Sequence, residues 1–211
     1  MRTIITIGRQ FGTGGHEIGQ KLAEKLGIKC YDKDLIKRVA QESGLCAEIL
    51  EHNDERPTSS FLYNLVMDTY SFGITNSNYV DMPLSHKVFL AQFDTIKKVA
   101  DEGPCVIVGR CADYALADYP NVLNLFIYGD MSKRISRVMN KYSVSEKDAR
   151  DMIIKKDKQR ASYYNYYSTK KWGKAETYNL CVDSTVLGRD GTVELLYQFV
   201  NDYENMIVNN Q

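Results

Sequence analysis

One short stretch restricts what this chain can fold into more than any other. The apolar, β-branched run "TIITI" passes without a break into "GRQFGTGGHEIG". β-Branched runs favour strands. Ile18, Leu22 and Leu26 then fall at i, i+4, i+8 with Ala23 on the same face, which is the period of an amphipathic helix. A strand that enters a helix through Gly8, Gly12, Gly14 and Gly15 lets backbone approach an anion closely and aims the helix's free N–H groups at it. Gly12, Thr13, Gly14, Gly15, His16 and Glu17 therefore make up the expected phosphate-binding segment.

Further apolar runs, "IKCY", "CVIV", "VLNLFIY" and "NLCV", alternate with helical patterns: "DLIKRVAQ", "HKVFLAQFDTIKKVADEG", "MSKRISRVMNK", "SEKDARDMIIKKDKQRA" and a C-terminal helix from about Asp190. Strands apolar enough to be buried on both faces, alternating with helices, predict an α/β fold with a parallel sheet covered by helices. Two segments interrupt the alternation. Residues 43–83 read as an insertion carrying a short helix, "FLYNLVMDTY". Residues 161–178, "ASYYNYYSTKKWGKAETY", are polar and aromatic without a clear period, and read as a lid.

The chain has 211 residues, 44% hydrophobic and 26% charged, which suits one globular domain. Its 27 basic and 27 acidic residues balance, so neither a nucleic-acid nor a membrane-surface binder is expected. Five cysteines, Cys30, Cys46, Cys105, Cys111 and Cys181, are widely spaced without metal-ligand spacing, and point to a reduced, cytoplasmic protein. The first strand starts at the second or third residue, so no signal peptide is expected, and no apolar run is long enough to span a bilayer.

A Walker A turn reads G-x-x-x-x-G-K-[ST]. With Gly14 as its second glycine, Arg9, Gly15 and His16 stand where the first glycine, the lysine and the Ser/Thr belong. The letters "GRQFGTG" fit the G-x-x-x-G-x-G turn of short-chain dehydrogenases better, and Tyr167-x-x-x-Lys171 is spaced like their catalytic pair. Three features oppose that reading. "YYNYYSTKKWG" has no helical apolar face, only about forty residues follow Lys171, and no Asn-Ala-Gly-like turn follows "CVIV".

Beyond the turn, nearly the whole chain resembles bacterial cytidylate kinases, and most closely the divergent cytidylate kinase-like family. The resemblance rests on "ITIGRQFGTGGHEIGQKLAEKLG", "YDKDLIKR", "VIVGRCADYAL", "KKDKQRA" and "CVDSTVLGRDGTVELL"; the divergent family shares the "GRQFG-x-GG" turn and the "ASYYNYY…KKWG" lid. It implies a three-layer P-loop fold of one domain, with strand order 2-3-1-4-5, a nucleoside-monophosphate-binding insertion at 43–83 and a lid at 156–178. It also implies transfer of the γ-phosphate of Mg-ATP to CMP or dCMP. By the same resemblance Gly12 to Glu17 hold the ATP phosphates, Asp32, Arg38 and Arg110 bind the monophosphate nucleotide, and Asp157 and Arg160 act from the lid.

These residue types suit the chemistry. Arginine forks bind phosphate oxygens in pairs and keep their proton, and phosphoryl transfer depends mostly on positioning and charge stabilisation. Arg9 is the expected main substitute for the missing lysine, with His16 the lesser. No carboxylate ends "CVIV" ahead of Arg110, so Mg²⁺ would be held mainly by phosphates and water, with no protein metal site. Tyr163, Tyr164, Tyr166, Tyr167 and Trp172 are expected to fold the lid onto the body rather than to stack on a base. The rival readings are a nucleotide sensor with a degenerate turn and a kinase for another small acceptor. A monomer or homodimer is expected.

Overall fold

A computed structural model describes residues 1–44, 50, 55 and 84–209. Among these residues five strands form one sheet in the order β2-β3-β1-β4-β5, and every pairing is parallel. The strands are β1 (Ile4–Arg9), β2 (Lys29–Tyr31), β3 (Cys105–Val108), β4 (Val122–Tyr128) and β5 (Leu180–Asp183). Parallel neighbours need crossover connections, and helices supply them: α1 (Gly15–Leu26), α2 (Lys33–Ser43), α3 (Leu84–Asp101), α4 (Ala112–Ala115), α5 (Met131–Tyr142) and α6 (Glu146–Tyr167), with α7 (Ser184–Asn209) following the last strand. This is the expected three-layer arrangement.

Strand alternation divides the core between the two faces. Ile5, Ile7, Val106 and Val108 face α1 and α7, where Ile18, Leu22, Val193 and Leu196 are buried. Ile4, Cys105 and Ile107 face α2, α3 and α4, through Leu35, Val39, Ile96 and Ala115. A third cluster, of Ile135, Val138, Ala149 and Ile153, joins α5 to α6. Both of those helices begin with side-chain caps. Asp130 accepts from the N–H groups of Ser132 (2.9 Å) and Lys133 (3.1 Å), and Ser145 accepts from that of Asp148 (3.1 Å).

The structure differs from the sequence reading in two places. Residues 161–167 are the last turns of α6 rather than an aperiodic segment, with Tyr163, Tyr164 and Tyr167 buried. Their i, i+1, i+4 spacing is a helical face built from tyrosines, which reads as polar because each ring carries a hydroxyl. One objection to the dehydrogenase reading therefore fails up to Tyr167, but Lys171 lies beyond the helix end and does not share it with Tyr167. A short helical turn from Ser184 precedes a break at Gly188 (φ 68°, ψ −176°), and the long final helix starts just beyond it, near the expected Asp190. Of the insertion at 43–83 only residues 43, 44, 50 and 55 are described, and "FLYNLVMDTY" lies outside the described residues.

α1 lies close to the sheet because Gly19 has no side chain: a Cβ there would stand 2.9 Å from Val108 Cγ2 and 3.3 Å from Ile7 Cδ1. Both neighbours belong to buried strands that cannot easily give way. Gly19→Val is expected to destabilise the protein by about 1–3 kcal/mol through overpacking. The check is urea denaturation, with the midpoint falling at an unchanged slope.

Candidate functional site

β1 and β3 are neighbours, yet the chain leaves them toward opposite layers: β1 leads into α1, which packs with α7, and β3 leads into α4, which packs with α2 and α3. In open parallel sheets such a divergence leaves a crevice at the carboxyl ends of the strands. Arg9 ends β1, Arg110 follows β3 and Asp32 follows β2, so all three reach this crevice. A cavity of about 720 Å³ opens there, lined by Gly12, Gly14, Gly15, His16 and Glu17 of the turn and by Arg9, Asp32, Glu55, Arg110 and Arg160.

The glycine turn is held from behind. Gly14 caps α1 in the left-handed region (φ 85°), where glycine carries no steric cost. Thr13 is buried; its hydroxyl donates to the Gln10 carbonyl (2.9 Å), and its own carbonyl accepts from Ser184 Oγ (3.0 Å). Asp157 accepts from the Phe11 N–H (2.7 Å) and pairs with Arg134, whose Nε donates to the Phe11 carbonyl (2.8 Å). Asp157 thus fastens α6 to the turn and does not line the cavity. Glu17 accepts from Arg137 (2.7 Å) and Arg189, with Lys141 at 3.8 Å. Burial alone would raise the Glu17 carboxyl, but the two arginines outweigh it and hold it below its ordinary range.

The other lining residues form a compact ion cluster. Glu55 bonds Arg9 Nη1 at 2.5 Å and Arg160 Nε at 3.0 Å, and accepts from the Arg110 backbone N–H at 3.3 Å. Arg160 also donates to the Arg9 carbonyl (3.2 Å), and Arg110 to Asp32 (2.8 Å) and the Val108 carbonyl (2.9 Å). His16 Nδ1 meets the other Asp32 oxygen. Arg9 and Arg110 are only 9% and 3% exposed, which makes the cluster a buried one. The loop that presents Arg110 is strained: Arg110 and Cys111 both have positive φ (58° and 53°). Such conformations cost about 1–3 kcal/mol each and tend to collect at functional sites. For both Asp32 and Glu55, burial works to raise the carboxyl. Around Asp32, Arg110 and Arg9 prevail; around Glu55, Arg9 and Arg160 do. Both carboxyls end below their ordinary range.

Two expected residues do not join this group in the expected way. Arg38 pairs with Glu42 (2.7 Å) and Glu102 (2.9 Å) and does not line the cavity. Arg9 does not carry its charge to the glycine turn. Only its Cβ and Cγ lie under Gly15, while its guanidinium reaches Gly109 and Glu55. The guanidinium on the turn is that of Arg137, so close to Gly14 that a Cβ there would stand 2.7 Å from Nη1. Arg137 and Glu55 escaped the sequence reading. Arg137 sits in an ordinary helical pattern, and Glu55 in a polar stretch with no period. Among the described residues no cluster of three His, Cys, Asp or Glu could hold a metal ion, and no helix is long and apolar enough to cross a membrane.

The aromatic segment packs on the body. Phe89 stacks on Tyr167 (3.8 Å, 7°), Trp172 meets Phe126 edge-on, and the Tyr164 hydroxyl donates to buried Asp113 (2.5 Å). Burial pushes the Asp113 carboxyl up.

The depressed carboxyls set the acid behaviour of the cluster. A carboxyl with a lowered folded-state pKa contributes stability that is full above its unfolded value and is lost as pH falls through the folded value. Stability should therefore drop from about pH 4 downward, and Glu55→Gln and Asp32→Asn should each flatten that acid limb. Unfolding free energies measured against pH test this; a wild-type slope in both variants would detach these carboxyls from acid stability.

Comparison with known proteins agrees with this geometry. No curated protein matches the chain. A solved structure of an uncharacterized protein from Eubacterium ventriosum ATCC 27560 is 30% identical, covering 95% of this chain and 99% of that one, with a TM-score of 0.68. Shikimate kinase from Bacteroides thetaiotaomicron (13% identity; 95% and 99% covered; TM-score 0.56) and a gluconokinase from Sinorhizobium meliloti 1021 (12%; 100% and 98%; 0.52) share the fold. The fold is that of P-loop kinases. The sequence model of the cytidylate kinase-like family matches residues 4–186. With its glycine turn at the carboxyl end of β1 and its arginines gathered across the crevice, the chain belongs to the cytidylate kinase-like family.

Proposed function

We propose that this protein is an ATP-dependent phosphotransferase of the nucleoside monophosphate kinase type, which moves the γ-phosphate of Mg-ATP to CMP or dCMP. The observation that carries this reading is the cavity lining: three arginines, Arg9, Arg110 and Arg160, share one cavity with the glycine turn at the N-terminus of α1. Two phosphorylated ligands meeting end to end need this arrangement, because the developing charge is shared between a helix N-terminus and fixed cations. A second cavity of about 600 Å³ borders the other side of the turn, beside Thr13, Ser184 and Arg189. It offers the donor nucleoside a place apart from the acceptor.

Each chain residue then has a task. The backbone of Gly12 to Gly15 receives the donor phosphates, and Arg110 and Arg160 hold the acceptor phosphate against them. The bond from the γ-phosphorus to ADP breaks as a bond to an acceptor phosphate oxygen forms, so no side chain must remove a proton from a hydroxyl. Charge neutralisation on the phosphates would be supplied by magnesium bound with the donor. Asp32 is a cavity carboxylate that would orient the ion's water shell, since no cluster among the described residues would ligate the ion directly.

The choice of cytosine is supported by the family's likeness to cytidylate kinases alone. A kinase for another small acceptor is favoured by one observation, that Arg38 is engaged with Glu42 and Glu102 outside the cavity. A coupled assay of ADP release from Mg-ATP decides, with CMP, dCMP, UMP, AMP, GMP or no acceptor. Release that requires CMP or dCMP and falls about 10²–10³-fold in Arg110→Ala and Arg160→Ala is the expected result. Release with none of these acceptors, despite ATP binding, would leave a sensor or an acceptor outside the panel.

A further inference from the structure

The turn lacks the lysine that usually stands against donor phosphates, and the cations nearest to it in sequence do not replace it. Arg9 sends its guanidinium to Glu55, and the His16 ring nitrogen is engaged by Asp32. We propose that Arg137, from α5, supplies the donor-side cation of the glycine turn and that Glu17 positions it. This rests on the donor being a nucleoside triphosphate, as in the function proposed above.

The geometry is specific. The Arg137 guanidinium lies against Gly14 with Nη1, Cζ and Nη2 at 2.7, 3.0 and 3.0 Å from where a Cβ would be. Gly14 has positive φ (85°), which favours glycine, and with no side chain there the guanidinium lies directly against the turn's backbone. Nη2 is fixed by Glu17 at 2.7 Å, which leaves Nη1 and Nε for an anion. Arg137 lines both the 720 Å³ and the 600 Å³ cavities, and so stands where a triphosphate running from one to the other must pass.

Glu17 is the second half of the device. A carboxylate in the first turn of α1 suits the helix dipole but would repel phosphate if it stood alone. Here it is matched by Arg137, Arg189 and Lys141, so the group as a whole is cationic. Its Cα is fixed on α1, the helix the turn leads into, so Glu17 keeps the guanidinium in register with the turn. Its role is positional.

The test is ATP titration calorimetry without acceptor, on the full chain and on Arg137→Gln, Arg137→Lys and Glu17→Gln, together with turnover where an acceptor is accepted. Arg137→Gln should weaken ATP binding about tenfold or more and lower kcat/KM for ATP by about 10²–10³. The acceptor KM and the thermal midpoint should stay at wild-type values. Arg137→Lys should recover part of the loss, and Glu17→Gln should fall between. Wild-type ATP affinity in Arg137→Gln overturns the proposal, as does an equal loss in the glutamine and lysine variants accompanied by a lowered thermal midpoint. Should Arg137→Gln fail to fold, Glu17→Gln decides on the same readout. A wild-type protein that binds ATP through Arg137 yet phosphorylates no acceptor leaves this inference standing and removes the kinase reading; one that binds no ATP removes both.

Discussion

Three like charges held together out of water set the terms for the rest of this structure. Arg9 and Arg110 are buried, and Arg160 closes on them from α6. Guanidinium groups do not give up their proton, and burying them without partners would cost several kcal/mol each. Glu55 and Asp32 offset that cost by bonding every one of the three. Removing Glu55 would take the carboxylate from both Arg9 and Arg160, and removing Asp32 would take it from Arg110. This cluster ties α6, the β3 loop, the end of β2 and residue 55 to a single point at the end of β1.

The same point organises the glycine turn. The strained Gly109–Arg110–Cys111 loop brings the Arg110 guanidinium back onto the Val108 carbonyl and Asp32. On the other side, Arg134 and Asp157 bind both the carbonyl and the N–H of Phe11, so the turn's outer wall belongs to α5 and α6. The turn therefore keeps its shape through long-range side-chain bonds, while Gly12, Gly14 and Gly15 line the cavity. Asp157 and Arg160 stand three residues apart on α6, one facing the turn and the other the arginine cluster. Movement of that helix would change both together.

Much of this was legible in the letters, for physical reasons. Buried parallel strands must be apolar on both faces, so "TIITI", "CVIV" and "VLNLFIY" announced themselves, and the glycines marked a turn in which backbone must come close to a ligand. Arg110 could be found because it directly follows a buried strand. Glu55 could not, since a lone acid in a polar stretch has no periodicity to set it apart. Arg137 lies in an unremarkable helical pattern, and its closeness to Gly14 joins residues more than a hundred positions apart. The tyrosine face of α6 was hidden because the ring that packs and the hydroxyl that bonds belong to one side chain.

What the sequence determined by itself is the class of scaffold: a parallel sheet, a glycine turn at the end of its first strand, a helix N-terminus behind that turn, and family membership. Local propensity and hydrophobic period are enough for these, because each depends on residues close together in the chain. Only the tertiary structure decided which cation meets which anion. Arg9 and Arg38 are both plausible phosphate ligands in the letters, yet one is drawn into Glu55 at the crevice and the other into Glu42 on α2 and Glu102 just beyond α3. Charges act through space, and their partners are chosen by how the layers stack.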